Sequence, residues 1–436
     1  MISIIMGQVL AISGVAVVGL LLQRLLRIEL TLACLLVGFV AGLGLEYTDF
    51  DTGIRASNLH DLVFFVILPV LIFEAAWELK PVLLKKWLLP ILLMATLGVL
   101  LCTFITAGLI YLGIGHTEGF PWMAALLTGA ILAATDPVAV IAQLRSANVS
   151  GDLTTIFEGE SLFNDATAVV LFSIVIGLAT NSVDAGDSYF AFFSLVAFGG
   201  LVFGAVAGLV VSAVVLLVGS SVASRFILVF SAFASFFVAE HVLHISGILA
   251  VMMTAIVARF TLREVEATVA EGIAGTWEWL GLYFNSVLFA IMGLVITLAM
   301  FRDQWLAMLV AIAAAIIARV VAVGVSCLCA RPLSTPISLA WQGLLVWGGL
   351  RGAIAIALVL SLPTSLAYWW TIQSMVFGVV LFSLLVQGTT NPYLIARVVG
   401  VPPTALPTNA ETCLLYTSDA ADDSLRVDLG GRRIIK

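Results

Sequence analysis

Charge is what this sequence has least of. Of its 436 residues only 10% are Asp, Glu, Lys or Arg, while 62% are hydrophobic and the mean hydropathy is +1.18. Globular chains are nearer ~45–50% apolar, so a soluble domain of this length is excluded. The chain reads as an all-α polytopic membrane protein. Its five cysteines (Cys34, Cys102, Cys327, Cys329, Cys413) form no paired framework. Cys327 and Cys329 stand one residue apart in an apolar run, which suits neither a zinc knuckle nor a redox pair, and they read as packing residues. His241 and His244 lie beside Glu240 but lack the four-residue HExxH spacing. GxSxG and a Ser–His pairing are missing too, so an enzyme is not expected, an intramembrane hydrolase least of all. Neither a cofactor nor a nucleic-acid partner is expected. The first apolar run, Ile4 to Leu22, has no basic residue ahead of it and no small-residue cleavage signal, and reads as a spanning helix rather than a leader.

Long apolar runs are what the sequence has instead. Stretches of about 20 residues, enough to span a bilayer, fall near 4–22, 28–45, 60–77, 87–112, 120–145, 158–180, 189–218, 224–242, 245–260, 274–299, 304–329, 337–361 and 367–397. That makes about thirteen transmembrane helices. Only His244, Ser246 and Gly247 separate the short ninth run from the eighth. Loops after odd-numbered helices carry Arg24, Arg27, Lys80, Lys85, Lys86, Arg145, Arg225, Arg259, Arg263, Arg331 and Arg397. Loops after even-numbered ones carry only Arg55 and Arg302, with Glu46, Asp49, Asp51, Asp61, Glu118, Asp184, Asp187 and Asp303. By the positive-inside rule the N-terminus faces out and the C-terminus faces the cytoplasm. An error of one helix would scramble this alternation. Trp87, Trp122, Trp369 and Trp370, near span ends, read as interfacial anchors.

Residues 1–400 are expected to form one transmembrane domain. Pro402, Pro403 and Pro407 end the last helix, and 401–436 reads as a disordered tail. From about residue 411 that tail (CLLYTSDAADDSLRVDLGGRRIIK) is expected to be artefact, since it resembles a translated sequencing-library adapter.

Against this apolar background the stretch Phe157 to Leu171, FEGESLFNDATAVVL, stands apart. It holds Glu158, Glu160 and Asp165 within eight residues, and helical spacing sets Glu160 with Asn164 and Ser161 with Asp165. A carboxylate at bilayer depth costs about 2.5–3.5 kcal/mol on insertion scales, so a cluster there implies use. Across the chain seven ionisable residues fall inside spans: Glu74, Asp136, Glu160, Asp165, Glu240, Arg319 and Arg351. Five acids against two arginines leave surplus negative charge for protons or cations to compensate. Glu160 is expected to pair with Arg319 or with Arg351, because an unpaired arginine in lipid is costly. Two spans also break their own helix. In ATDPVAV, Pro137 forces Thr135 and Asp136 out of α geometry, and in WGGLRGA three glycines surround Arg351. With helices one to six and eight to thirteen as two repeats, the breaks occupy the fifth position of each. One linker helix inverts the second repeat relative to the first, and matched interruptions of this kind mark a transporter's binding site.

The segments ATDPVAV, GESLFNDATAVVLF and WGGLRGAIAIALVLSLP resemble the signatures of monovalent cation:proton antiporters, most nearly the NhaP-type branch related to sodium/hydrogen exchangers. LPVLIFEAAWEL and AEHVLHISGILAV resemble that pattern too. The resemblance spans residues 1 to about 400 and implies an NhaA-like antiporter fold of two inverted six-helix repeats whose broken helices cross. It implies that Asp136 and Asp165 bind Na⁺ or the proton, with Ser161 and the Thr135 carbonyl completing the site. Asn164 would hold the crossing, Glu160 would pair with an arginine, and Glu74 would lie near the approach. Asn164 before Asp165 implies electroneutral exchange, and the family's habit implies a homodimer in the inner or plasma membrane. Packing inside one protomer is the other reading of the GxxxGxxxG stripe at Gly200, Gly204 and Gly208. A cation channel lined by the same acids is the alternative from another class, but a channel favours symmetric rings rather than one asymmetric cluster. A carrier of organic anions would need a basic site.

Overall fold

The computed structural model describes residues 2–26, 28–45, 62–114, 119–147, 149, 151–180, 189–262 and 267–399. Glu46, Asp49, Asp51, Arg55, Asp61, Glu118, Asp184, Asp187, Arg27, Arg263, Cys413 and the whole 401–436 stretch lie outside them. The described residues are helical apart from turns and short connections. Among the described residues the helices group into thirteen consecutive segments, in the order of the apolar runs. These are α1 (Ile2–Leu26), α2 (Leu30–Leu45), α3 (Val63–Ile67 and Leu68–Glu78), α4 (Pro81–Leu93, Met94–Gly98 and Val99–Gly113) and α5 (Trp122–Ile131 and Val138–Ser146). Next come α6 (Gly151–Ala179), α7 (Tyr189–Val218), α8 (Ser221–Phe237 and Val238–Val242), α9 (Gly247–Thr261), α10 (Ala267–Val295) and α11 (Leu298–Ala330). The last two are α12 (Leu339–Trp347 and Ala353–Leu360) and α13 (Trp369–Phe382, Ser383–Gln387 and Gly388–Val399). Among the described residues eight helices are long and apolar enough by themselves to cross a membrane, and Leu30–Gly44, Trp122–Ile131 and Gly247–Thr261 are shorter apolar helices.

The boundaries have local causes. Pro81 opens α4 at a position where its missing N–H is no loss. Ser338 caps the first half of α12 by accepting from the Trp341 N–H. The separation of α8 from α9 is real. His244 takes a left-handed φ of 53°, Ser246 accepts from the Leu249 N–H, and the Glu240 carboxylate accepts from the Gly247 N–H at 2.9 Å. Single wide π turns interrupt α3, α4, α8 and α13.

Packing divides the segments into two bundles. α1, α2, α3, α8, α9 and α10 pack among themselves with α7 against α9, while α4, α5, α6, α11, α12 and α13 form the other. The pairings repeat when each helix is exchanged for the one seven places on: α2 with α10 and α9 with α3, α1 with α2 and α8 with α9, α4 with α5 and α11 with α12. That is the signature of two related six-helix halves joined by α7. The glycine stripe of α7 faces α9: side chains at Gly200, Gly204 and Gly208 would collide with Ser246, Ala250 and Thr254. The stripe therefore serves packing inside this chain.

Contacts between helix ends give a check independent of hydropathy. Glu78 at the end of α3 meets Arg145 at the end of α5, and Arg259 at the end of α9 lies 5.6 Å over the Trp77 ring. Lys86 near the start of α4 meets Asp152 at the start of α6, and Arg225 near the start of α8 lies against Gly272 near the start of α10. The connections after α3, α5, α7 and α9 thus share one face, in line with the alternation of charge there.

Candidate cation site

The breaks in α5 and α12 lie against each other. The Asp136 N–H donates to the Leu350 carbonyl at 2.8 Å, joining the two unwound stretches. The Asp136 carboxylate accepts from the Val138 N–H at 3.2 Å and the Ala353 N–H at 3.3 Å, so it faces the first turn of both second half-helices. Helix N-termini favour negative charge, and this carboxylate has two of them. Glycine at 352 is required by proximity, because any Cβ there would overlap the Asp136 side chain. Carbonyls freed at the first half-helices are held by arginines. Arg351 donates to the Ala133 and Ala134 carbonyls at 3.1 and 2.9 Å, and Arg319 donates to the Leu345 carbonyl at 3.1 Å. Ser383 and Gln387, from the π turn of α13, accept from the Arg351 N–H and donate to the Trp347 carbonyl.

α6 brings the third component. Its spacing places Glu160 and Asn164 one turn apart, and the Asn164 amide donates to the Glu160 carboxylate at 2.7 Å. The same amide donates to the Thr135 hydroxyl, while its oxygen accepts from the Thr135 N–H at 3.3 Å. Asn164 thus ties α6 to the broken stretch of α5. The Ser161 hydroxyl donates to the Thr135 carbonyl at 2.7 Å. Glu160 is paired with Arg319 through two contacts of 2.8 and 2.9 Å, both side chains buried. This resolves the choice of arginine: Arg351 holds carbonyls and the Cys102 sulfur, at 3.7 Å, rather than a carboxylate.

Asp165 stands differently. It lies within electrostatic reach of Asp136, Glu160 and Arg351 and its carboxylate accepts from the Thr135 backbone, yet its Oδ1 is buried with no hydrogen-bond partner. A carboxylate oxygen orphaned at depth is costly unless something else completes it. The residues gathered here are therefore Thr135, Asp136, Glu160, Ser161, Asn164, Asp165, Arg319 and Arg351. Glu74 sits apart on α3, packed against Gly281 of α10, but within electrostatic reach of Asp136 and Arg145.

Some side chains lie elsewhere than expected. Glu240 is exposed at the end of α8, where its carboxylate caps α9, rather than buried inside a span. It lines a cavity of about 310 Å³ between α6, α8 and α9, whose wall reaches Val169, one helical turn from Asp165. His241 stacks on Phe237 at 4.8 Å and meets Phe65 edge-on. Trp87 is buried rather than interfacial, and its indole N–H donates to Asp152 at 2.6 Å. The sequence reading also missed Glu29, half-buried before α2, and the bridge of Arg145 to Glu158 at 2.6 Å and Glu78 at 3.2 Å.

Comparison with known proteins agrees with this arrangement. The chain is 35% identical over 402 residues to the Na⁺/H⁺ antiporter ApNhaP of Aphanothece halophytica, covering 89% of this chain and 73% of that one. It is 35% identical over 369 residues to the low-affinity Na⁺/H⁺ antiporter NhaS1 of Synechocystis, covering 82% and 68%. Its fold superposes on the sodium proton antiporter MjNhaP1 of Methanocaldococcus jannaschii with a TM-score of 0.74 at 18% identity, covering 88% of this chain and 99% of that one. The model of the transmembrane sodium/hydrogen exchanger family matches residues 12–397, and the chain belongs to that family.

Proposed function

We propose that the protein is a secondary active antiporter that exchanges Na⁺, or Li⁺ or K⁺ in its place, for H⁺ by competition at Asp136 and Asp165. The observation that carries this reading is the state of the charges at the crossing. Glu160 is neutralised by Arg319, Arg351 is engaged with carbonyls, and the Oδ1 of Asp165 is left without a partner within electrostatic reach of Asp136. Two carboxylates, the Ser161 hydroxyl and the Thr135 carbonyl are an all-oxygen set, which suits a hard cation. Burial and like charge make the doubly ionised pair unstable alone. Either a cation or protons relieve it, and holding both would overcharge the site. Exposing the site alternately to each side then makes the flux of one ion drive the other.

The exchange is electroneutral on this reading, because Asn164 adds no third titrating acid and Glu160 stays paired. The bridge from Arg145 to Glu78 joins the two bundles, whose relative displacement provides the alternation. The chain works in the inner or plasma membrane, N-terminus outside and C-terminus in the cytoplasm, as a homodimer; the charge bias of its loops and the family's habit support this. Na⁺ and H⁺ are substrates and no cofactor takes part. Residues 1–400 carry the exchanger.

Asp165→Asn tests the assignment in proteoliposomes loaded with a pH-sensitive dye. The variant is expected to keep wild-type folding, read as a monodisperse peak in detergent, and to lose Na⁺-dependent proton flux. Retained flux would defeat the assignment. A wild-type transport current that reverses with membrane potential would rule out electroneutrality.

A further inference from the structure

Arg319 uses its two terminal nitrogens in the contacts with Glu160 and the Leu345 carbonyl. Its Nε is buried with no hydrogen-bond partner, on a residue only 7% exposed. A guanidinium donor stranded at that depth is costly unless something accepts from it. Beside it is a small cavity of about 20 Å³ between α11, α12 and α13, whose polar lining comes from Arg319, Val346, Gly349, Arg351 and Gln387. Acceptors come from α12. A helix that stops leaves its last carbonyls without intrahelical donors. Around this break the Leu344 carbonyl accepts from the Gly348 N–H at 2.7 Å and that of Gly348 from the Leu350 N–H at 2.9 Å. The carbonyls of Leu345, Trp347 and Leu350 accept from Arg319, Gln387 and the Asp136 N–H. Those of Val346 and Gly349 take none of these donors, and both residues line the cavity. Gly349 also makes the room. A Cβ there would stand 2.7 Å from the Arg319 Nε, so the glycine keeps the space beside that donor open.

We propose that this cavity is the site of one bound water, which accepts from the Arg319 Nε–H and donates to the carbonyls that the α12 break frees at Val346 and Gly349. The volume exceeds the ~10–15 Å³ that one water needs, and one donor with two carbonyls falls within its usual range of partners. The chemistry selects water over an ion. An anion would satisfy the Nε but repel the carbonyls. A cation would satisfy the carbonyls but be repelled by Arg319 and Arg351. Water serves both. Bound there, it bridges α11 to the break in α12 and fixes the plane of the guanidinium whose terminal nitrogens hold Glu160. Such a water belongs to the scaffold of the crossing, whichever ions the protein exchanges.

A density map of the full chain in lipid nanodiscs, sharp enough to show ordered water, tests this. One compact peak is expected about 2.7–3.2 Å from the Arg319 Nε and within hydrogen-bonding distance of the Val346 or Gly349 carbonyl oxygen. A cavity without a peak, or one filled by the elongated density of a lipid chain, would overturn the proposal. So would an Nε bonded directly to a protein acceptor. Melting in detergent with chloride replaced by gluconate at fixed ionic strength separates water from an anion: an unchanged melting temperature is expected, and a fall on removing chloride would overturn the assignment to water. Gly349→Ala places a methyl against the Nε and displaces the water, so its melting temperature is expected to fall by about 2 °C or more. A variant melting at or above wild type would mean that a dry hole had been filled, which also overturns the proposal. If that variant does not fold, the wild-type map decides.

Discussion

Arg319 carries the most at the residue scale. Its bidentate contact keeps Glu160 compensated, and removing one end of a buried pair strands a charge at a cost of about 3–5 kcal/mol. Arg319→Met is expected to lower the melting temperature in detergent and the yield of folded protein, and a variant melting like wild type would contradict that weight. Gly352→Ala is a sharper probe of the crossing, because its methyl would overlap the Asp136 carboxylate. Misplacing a binding group by about 1 Å can cost about a hundredfold in rate, so exchange is expected to fall at least tenfold while the chain remains folded. Sequence made part of this legible. The four-residue spacing of Glu160 and Asn164 is a local property of a helix, and the structure adds a hydrogen bond between them. The partner of Glu160 was not legible, because Arg319 and Arg351 are both distant in the chain and composition treats them alike. Glu29 was hidden for another reason: a glutamate in a turn looks solvated until the helix that covers it is placed.

At the scale of elements, interruption is the organising feature. Pro137 and the glycines at 348, 349 and 352 announced the breaks in α5 and α12, since both residue types act directly on backbone geometry. The π turns carried no such signal, because one widened turn leaves hydropathy unchanged; yet the one in α13 delivers Ser383 and Gln387 to the α12 break. The eighth and ninth segments were separable only through His244, Ser246 and Gly247, and those residues do end one helix and cap the next. The misreading of Trp87 as an anchor shows what periodicity leaves out. A tryptophan facing lipid near a span end and one buried against an aspartate at a helix start look the same in sequence. The contact of α7 with α9 depends on the absence of side chains, as Thr254 donates to the Gly204 carbonyl at 3.2 Å. Gly204→Leu is expected to separate the two helices and to lower thermal stability by about 2 kcal/mol or more, as overpacking does, read by melting in detergent. An unchanged melt would move the stripe to another role.

For the whole molecule, the imbalance of five acids and two arginines is distributed unevenly. One acid is neutralised by an arginine at depth, one caps a helix at the surface, one lies on the other bundle, and two remain together where the broken helices cross. On the proposed reading, that distribution turns surplus charge into a site that a proton and a cation contest. The apparent affinity for Na⁺ across pH, taken from initial exchange rates in proteoliposomes, tests this most directly. If one proton must leave for one cation to bind, linkage requires the KM for Na⁺ to rise about tenfold for each unit that pH falls on the acid limb, with kcat nearly level. A KM that stays constant while only kcat follows pH would contradict competition at Asp136 and Asp165.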